Sequence, residues 1–151
     1  MKKNSIIHFS DATMLAIHAL VILSKDNKNF FTTKQMAQTL GASENHLAKI
    51  MQILAKNRYV ESIKGPLGGF MLSVDPEKIT LKNVIELIEG PLDSSFCPFF
   101  KNCPSSNCIL GPEIKDYSEK IIKLLEEKNI KQVASRSIFQ DLIGRKNERN
   151  Q

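Results

Sequence analysis

Cysteine is scarce in this chain, with three in 151 residues. An odd count excludes a framework built only from paired disulfides. Long hydrophobic runs are also missing. The longest apolar stretch, LAIHALVIL (15–23), is too short to span a bilayer and carries a histidine. Met1-Lys2-Lys3 does not lead into a signal-like core, because Asn4, His8 and Asp11 intervene. These gaps predict a cytoplasmic protein with no membrane partner, in which thiols stay reduced. Enzyme signatures are missing too: there is no glycine-rich phosphate cradle, HExxH, nucleophile elbow or pair of acids in a polar setting, so catalysis is not expected. No internal repeat is visible.

What is present is ordinary in bulk, with 42% hydrophobic and 25% charged residues and a net charge of +5. One domain, or a small domain with an extension, is the expectation at this length. The charge is unevenly distributed. Residues 25–64 hold seven Lys/Arg against three acids, whereas 81–112 hold two bases and three acids. A basic segment beside a near-neutral one points to an anionic partner, nucleic acid being the leading candidate.

Residues 10–24 read as a buried helix. Thr32-x-x-Gln35 fits a capping box opening a short amphipathic helix with Met36, Ala37 and Leu40, stopped at Gly41 in a left-handed position. Ser43 then caps a second helix running to about Asn57. A helix, a tight glycine turn and a helix form the helix-turn-helix pattern. In the second helix Leu47, Ile50, Met51 and Leu54 make one apolar stripe, and Asn45, Lys49, Gln52 and Lys56 a polar one on the other side. Amides and lysines suit base edges and phosphates in a major groove, although a solvated helix face would look the same. The next stretch decides between them. YVESIKGPLGGFMLSV (59–74) gives two strands, 59–63 and 70–74, around a glycine-rich turn with Lys64 at its root. A helix-turn-helix followed by a hairpin is a winged helix, whose tip can meet the minor groove.

Thr80 caps a further amphipathic helix that stops at Gly90-Pro91. The cysteine loop follows, then a long helix over roughly 112–128, opened by Pro112. Its residues Ile114, Tyr117, Ile121 and Leu124 form a coiled-coil-like seam. The expected fold is mostly α with a small β wing: a winged helix-turn-helix DNA-binding domain plus a long C-terminal dimerisation helix. The division is a DNA-binding domain at 1–80, a linker helix, cysteine loop and dimerisation helix at 81–142, and a disordered polar tail at 143–151.

All three cysteines lie in FCPFFKNCPSSNC (96–108), spaced Cys97-x5-Cys103-x4-Cys108. Neither close pair typical of zinc ribbons is present. Three thiolates around one site suit an iron–sulfur cluster with a fourth ligand from elsewhere. On the residues alone, a cluster, zinc and a thiol–disulfide switch all remain open.

This order of parts resembles the IscR/NsrR family of bacterial winged-helix regulators that carry an iron–sulfur cluster. The likeness covers nearly the whole chain. Its most specific pieces are GASENHLAKI (41–50), IKGPLGGFML (63–72), ITLKNVIELIEGP (79–91) and the cysteine loop. NHLAKI is closer to the nitric-oxide-sensing branch. The resemblance implies a homodimeric repressor on a palindromic double-stranded DNA operator, controlled by a two-iron or four-iron cluster that senses nitric oxide, redox or iron–sulfur status. It implies DNA contacts by Ser43, Asn45, His46, Lys49, Gln52, Lys64, Gly65 and Pro66. Lys64 stands where the family usually has arginine. The cluster would be held by Cys97, Cys103 and Cys108. The fourth ligand differs between branches. A histidine three residues after the last cysteine would fall at Gly111, so Asp11 or His18 of the first helix, from the same or the partner subunit, are the candidates. The alternative is the same regulator with a thiol–disulfide or zinc switch and no cluster.

Overall fold

The structure is a computed structural model and describes residues 7–26, 28–66, 68–94 and 113–136. The first helix, α1 (Asp11–Lys25), is capped by Ser10, whose side chain accepts the Thr13 N–H. Ala16, Ala19, Leu20, Val21, Ile22 and Leu23 are all buried, as its apolar sequence predicts. Helix α2 (Thr33–Leu40) opens with the expected capping box between Thr32 and Gln35. It closes on Gly41, whose φ of 65° is a left-handed turn that a side chain would oppose. Helix α3 (Glu44–Lys56) starts two residues later with Ser43 as its N-cap. Leu47, Ile50, Met51 and Leu54 are buried as one stripe against α1 and α2. Each such side chain contributes about 1.5–3 kcal/mol by leaving water.

The hairpin consists of β1 (Val60–Ile63) and β2 (Gly69–Leu72), antiparallel with Val60 opposite Leu72 and Ile63 opposite Gly69. Gly68 makes the return possible, since a Cβ there would sit 2.1 Å from the Ile63 carbonyl oxygen. The sheet also gains one bridge that the sequence did not announce: Phe31 and Phe70 exchange two backbone hydrogen bonds of 2.9 Å. This ties the base of the wing to the segment leading into α2.

A 3₁₀ turn at Pro76–Lys78 precedes α4 (Leu81–Glu89), which carries a second local capping box, Thr80 with Asn83. Helix α5 (Glu113–Glu127) follows, and among the described residues it has none that is buried. A final helix, α6 (Ile130–Arg136), was not expected from the sequence. It opens with a reciprocal pair of bonds between Asn129 and Gln132, of 3.2 and 2.9 Å, and its Ile130 and Ala134 are buried. The Ile130 N–H bonds the Ile79 carbonyl at 2.9 Å, and the Leu81 N–H bonds Lys128 at 2.8 Å. The chain after α5 therefore returns to α1 and the 3₁₀ turn and completes the same core. The fold is mostly α with a small two-stranded wing, a winged helix-turn-helix with a long helix after it.

Candidate nucleic-acid interface

The tight Gly41-Ala42-Ser43 turn fixes where α3 begins, and the buried stripe fixes which way it faces. With Leu47, Ile50, Met51 and Leu54 turned inward, Asn45, His46, Lys49, Gln52 and Lys56 are all exposed along the other side. Ser43 is exposed at the helix start and accepts the His46 N–H at 3.4 Å. Lys64, Gly65 and Pro66 are exposed in the wing turn. Three lysines, two amides and an imidazole thus occupy one helix face and the wing beside it, groups that phosphate oxygens and base edges accept.

Two apolar residues on this surface escaped the sequence reading. Ile53 is 38% exposed, four residues after Lys49 and three before Lys56, and Ile63 is 52% exposed at the root of the wing. The available signal for Ile53 was its position, which falls outside the stripe of its apolar neighbours.

Asp11 and His18 lie on the outward side of α1, in the first and third turns. They line one open groove of about 410 Å³ together with Met14, Leu40, Ser43 and His46. The structure therefore brings both candidate ligands beside the start of α3. Asp11 is exposed, while His18 is half-buried with Nδ1 2.6 Å from the Met14 carbonyl oxygen. Cys97, Cys103 and Cys108 lie outside the described residues, as do Gly111 and the 143–151 tail. Among the described residues no three His, Cys, Asp or Glu side chains gather as a metal site.

A second polar arrangement stands next to Asp11. The Glu89 carboxylate, at the end of α4, accepts the Ser10 N–H at 2.8 Å and the Thr13 hydroxyl at 2.6 Å, both on the same oxygen. Thr13 is fully buried. The Thr13 hydroxyl, followed by the Ser10 N–H, holds the Glu89 carboxyl below the usual glutamate range. Sequence reasoning missed this residue. The signal was an acid in the last turn of a helix, where the dipole disfavours it.

On α5, Ile114, Tyr117 and Leu124 are 39%, 61% and 51% exposed, so most of the predicted seam is uncovered by the described residues. The Lys120 ammonium lies 5.2 Å from the Tyr117 ring centre, and Lys82 of α4 pairs with Glu126 at 3.5 Å on another side of α5.

Comparison with known proteins adds a family to this geometry. A putative HTH-type transcriptional regulator of Aquifex aeolicus is 35% identical over 89 residues, 59% of this chain, and the chain spans only 62% of that relative's length. The regulator NsrR of Bacillus licheniformis is 34% identical over 101 residues, 66% of this chain and 68% of the relative. Among solved structures, CymR, the global cysteine regulator of B. subtilis, superposes with a TM-score of 0.76 at 22% identity, covering 87% of this chain and 99% of that one, a likeness of fold. The family model described as Rrf2, iron-dependent transcriptional regulator, matches residues 9–136. The chain is a member of the Rrf2 family.

Proposed function

We propose that this protein is a dimeric transcription regulator that binds a palindromic double-stranded operator through α3 and the wing. Residues 1–80 make the DNA contacts, and 81–142 carry the cysteine loop and the pairing helix. The observation that carries the reading is the exposed row of Asn45, His46, Lys49, Gln52 and Lys56 beside the exposed Lys64-Gly65-Pro66 turn. Lysines supply the sequence-independent phosphate attraction, and the amides supply the base discrimination. Lys64 keeps the charge of an arginine and lacks its planar fork, so its contact in the minor groove is mainly electrostatic. The exposed Ile114, Tyr117 and Leu124 face fits a second copy of α5, which sets two α3 helices at about one DNA turn.

Cys97, Cys103 and Cys108 are the residues that hold an iron–sulfur cluster in this reading, with Asp11 or His18 completing the set. The geometry of α1 suits either one, since both line an open groove rather than the core. Three soft thiolates and one exchangeable oxygen or nitrogen donor make a site open to small reactive signals. When bound, the cluster supplies iron that nitric oxide or oxygen can attack. Relatives named NsrR and the iron-dependent description of the family support this assignment. The protein then acts as a repressor whose operator affinity follows the state of the loop. The likeness to a cysteine regulator favours a second reading, the same DNA-binding body with a thiol or zinc switch.

Anaerobic purification separates the two. A brown protein with charge-transfer absorption, iron and sulfide supports the cluster, and a colourless protein containing zinc or free thiols supports the alternative. Absence of sequence-specific binding in selection from a random duplex library contradicts the DNA-binding reading itself.

A further inference from the structure

Four α-helices open on a Ser or Thr cap, Ser10, Thr32, Ser43 and Thr80, and two of them close a capping box within their own first turn. In α2 and α4 the box is local: Thr32 pairs with Gln35 and Thr80 pairs with Asn83. In α1 the N-cap is Ser10 and the third helical residue is Thr13, whose short side chain does not return a bond to the Ser10 N–H. The missing acceptor comes from 79 residues away. Glu89 takes both the Ser10 N–H and the Thr13 hydroxyl on one carboxylate oxygen.

We propose that this split capping box is the joint through which the state of the cysteine loop reaches the recognition helix, and that Glu89 is its positioning residue. The inference rests on the reading of the loop as a sensor and names how that sensor is wired.

The placement is costly for α4 and favourable for α1. A carboxylate in the last turn of α4 faces the negative end of its own helix, yet it meets the positive end of α1. Thr13 is fully buried, so its hydroxyl depends on protein partners: the Glu89 carboxylate at 2.6 Å and the Ser10 hydroxyl at 3.1 Å. Opening the joint would leave that group under-bonded, which makes the contact nearly all-or-none.

Both sides of the joint lead to functional parts. Gly90 and Pro91 follow Glu89 at once, and the Leu92 N–H bonds the Glu86 carboxylate at 3.1 Å, so the chain running towards Cys97 is tied to the end of α4. A pull on the loop is therefore delivered to Glu89. On the far side, the first turns of α1 carry Asp11 and Met14, which line the same groove as Ser43 and His46 of α3. Movement of α1 relative to α4 changes that groove and the angle at which α3 is presented.

The test compares operator affinity of the dimer with its cysteine loop loaded, under anaerobic conditions, and after stripping with a chelator, on a duplex chosen by selection. The wild type is expected to show a ratio of about 5- to 150-fold between the two states, the usual range for linked sites. Glu89→Ala and the nearly isosteric Thr13→Val should each bring the ratio to within about twofold of equality. Both should remain folded dimers. Glu89→Gln keeps a carbonyl acceptor and should retain most of the ratio, a rescue that a role in stability alone does not predict. Hydrogen exchange supplies an independent readout: amides at 11–14 should differ in protection between states in the wild type and not in Thr13→Val. A wild-type ratio preserved in both Glu89→Ala and Thr13→Val, with unchanged exchange at 11–14, overturns the inference and leaves the sensor reading intact. A wild type with specific operator binding and no ratio overturns both.

Discussion

Replacing Lys64 with alanine isolates the electrostatic share of DNA binding. Lys64 is exposed at the root of the wing turn, next to Gly65 and Pro66, and is not among the ion pairs of the described residues. Its removal should leave the fold unchanged, because the hairpin is held by the pairing of β1 and β2 and by the Phe31–Phe70 bridge. In a two-fold dimer the substitution deletes two cations from the interface. Each phosphate contact contributes about 0.9 to the slope of log affinity against log salt, so the variant's slope should be shallower by about 1.8. From about 50 to about 200 mM salt this difference amounts to about 12-fold in relative affinity. The deficit of the variant should be large at low salt and shrink as salt rises. Fluorescence anisotropy of a labelled operator across a salt series measures it, with Lys64→Arg as the control that restores the charge. An unchanged slope in Lys64→Ala, with the variant folded, would refute the placement of the wing against DNA.

Other substitutions probe other links. Ile121→Lys with Leu124→Lys puts two charges into the face assigned to pairing and should dissociate or unfold the dimer, while a monomer mass for the wild type by light scattering contradicts that assignment. Arg58 holds a left-handed φ of 62° between α3 and β1. Arg58→Gly should therefore relieve strain and raise stability by about 1 kcal/mol in urea unfolding, and a loss of stability argues against it. Glu89 has its carboxyl held down by Thr13 and Ser10, so its contribution to stability is complete above the usual glutamate range and is lost as pH falls through the lower folded value. Glu89→Gln should remove that part of the acid-side decline, and identical pH–stability profiles count against it. Cys97→Ala, Cys103→Ala and Cys108→Ala should each abolish stable iron binding in a folded dimer, whereas of Asp11 and His18 only one should strongly affect cluster stability. Full iron retention in any cysteine variant opposes the ligand set.

The parts of the fold readable from sequence were those decided locally. Thr32-x-x-Gln35, Gly41, Ser43 and Thr80 are caps whose partners lie within a few residues, and each appears in the structure where the chain chemistry puts it. The buried stripe of α3 followed from helical spacing alone. What stayed hidden depends on long-range pairing. The Phe31–Phe70 bridge and the contact of Glu89 with Ser10 join residues far apart in the chain, and no local pattern encodes either. Helix α6 is an intermediate case. Asn129 with Gln132, followed by Ile130, Val133 and Ala134, is a helix signal in sequence, but a seven-residue helix is marginal until it packs against α1. The groove uniting Asp11 and His18 with Ser43 and His46 was half legible. Their spacing of seven puts Asp11 and His18 on one side of α1, while the approach of α3 is a tertiary fact.

In the proposed mechanism the state of the cysteine loop sets DNA affinity through a bound iron–sulfur cluster. The most direct measurement pairs iron and sulfide analysis of the anaerobically reconstituted dimer with operator titrations of that protein and its stripped form in one buffer. Stoichiometric iron and sulfide are expected, with loss of both in Cys97→Ala and operator affinities that differ by about 5- to 150-fold between the two forms. A reconstituted protein that takes up neither iron nor sulfide, or two forms that bind the operator equally, would contradict this mechanism.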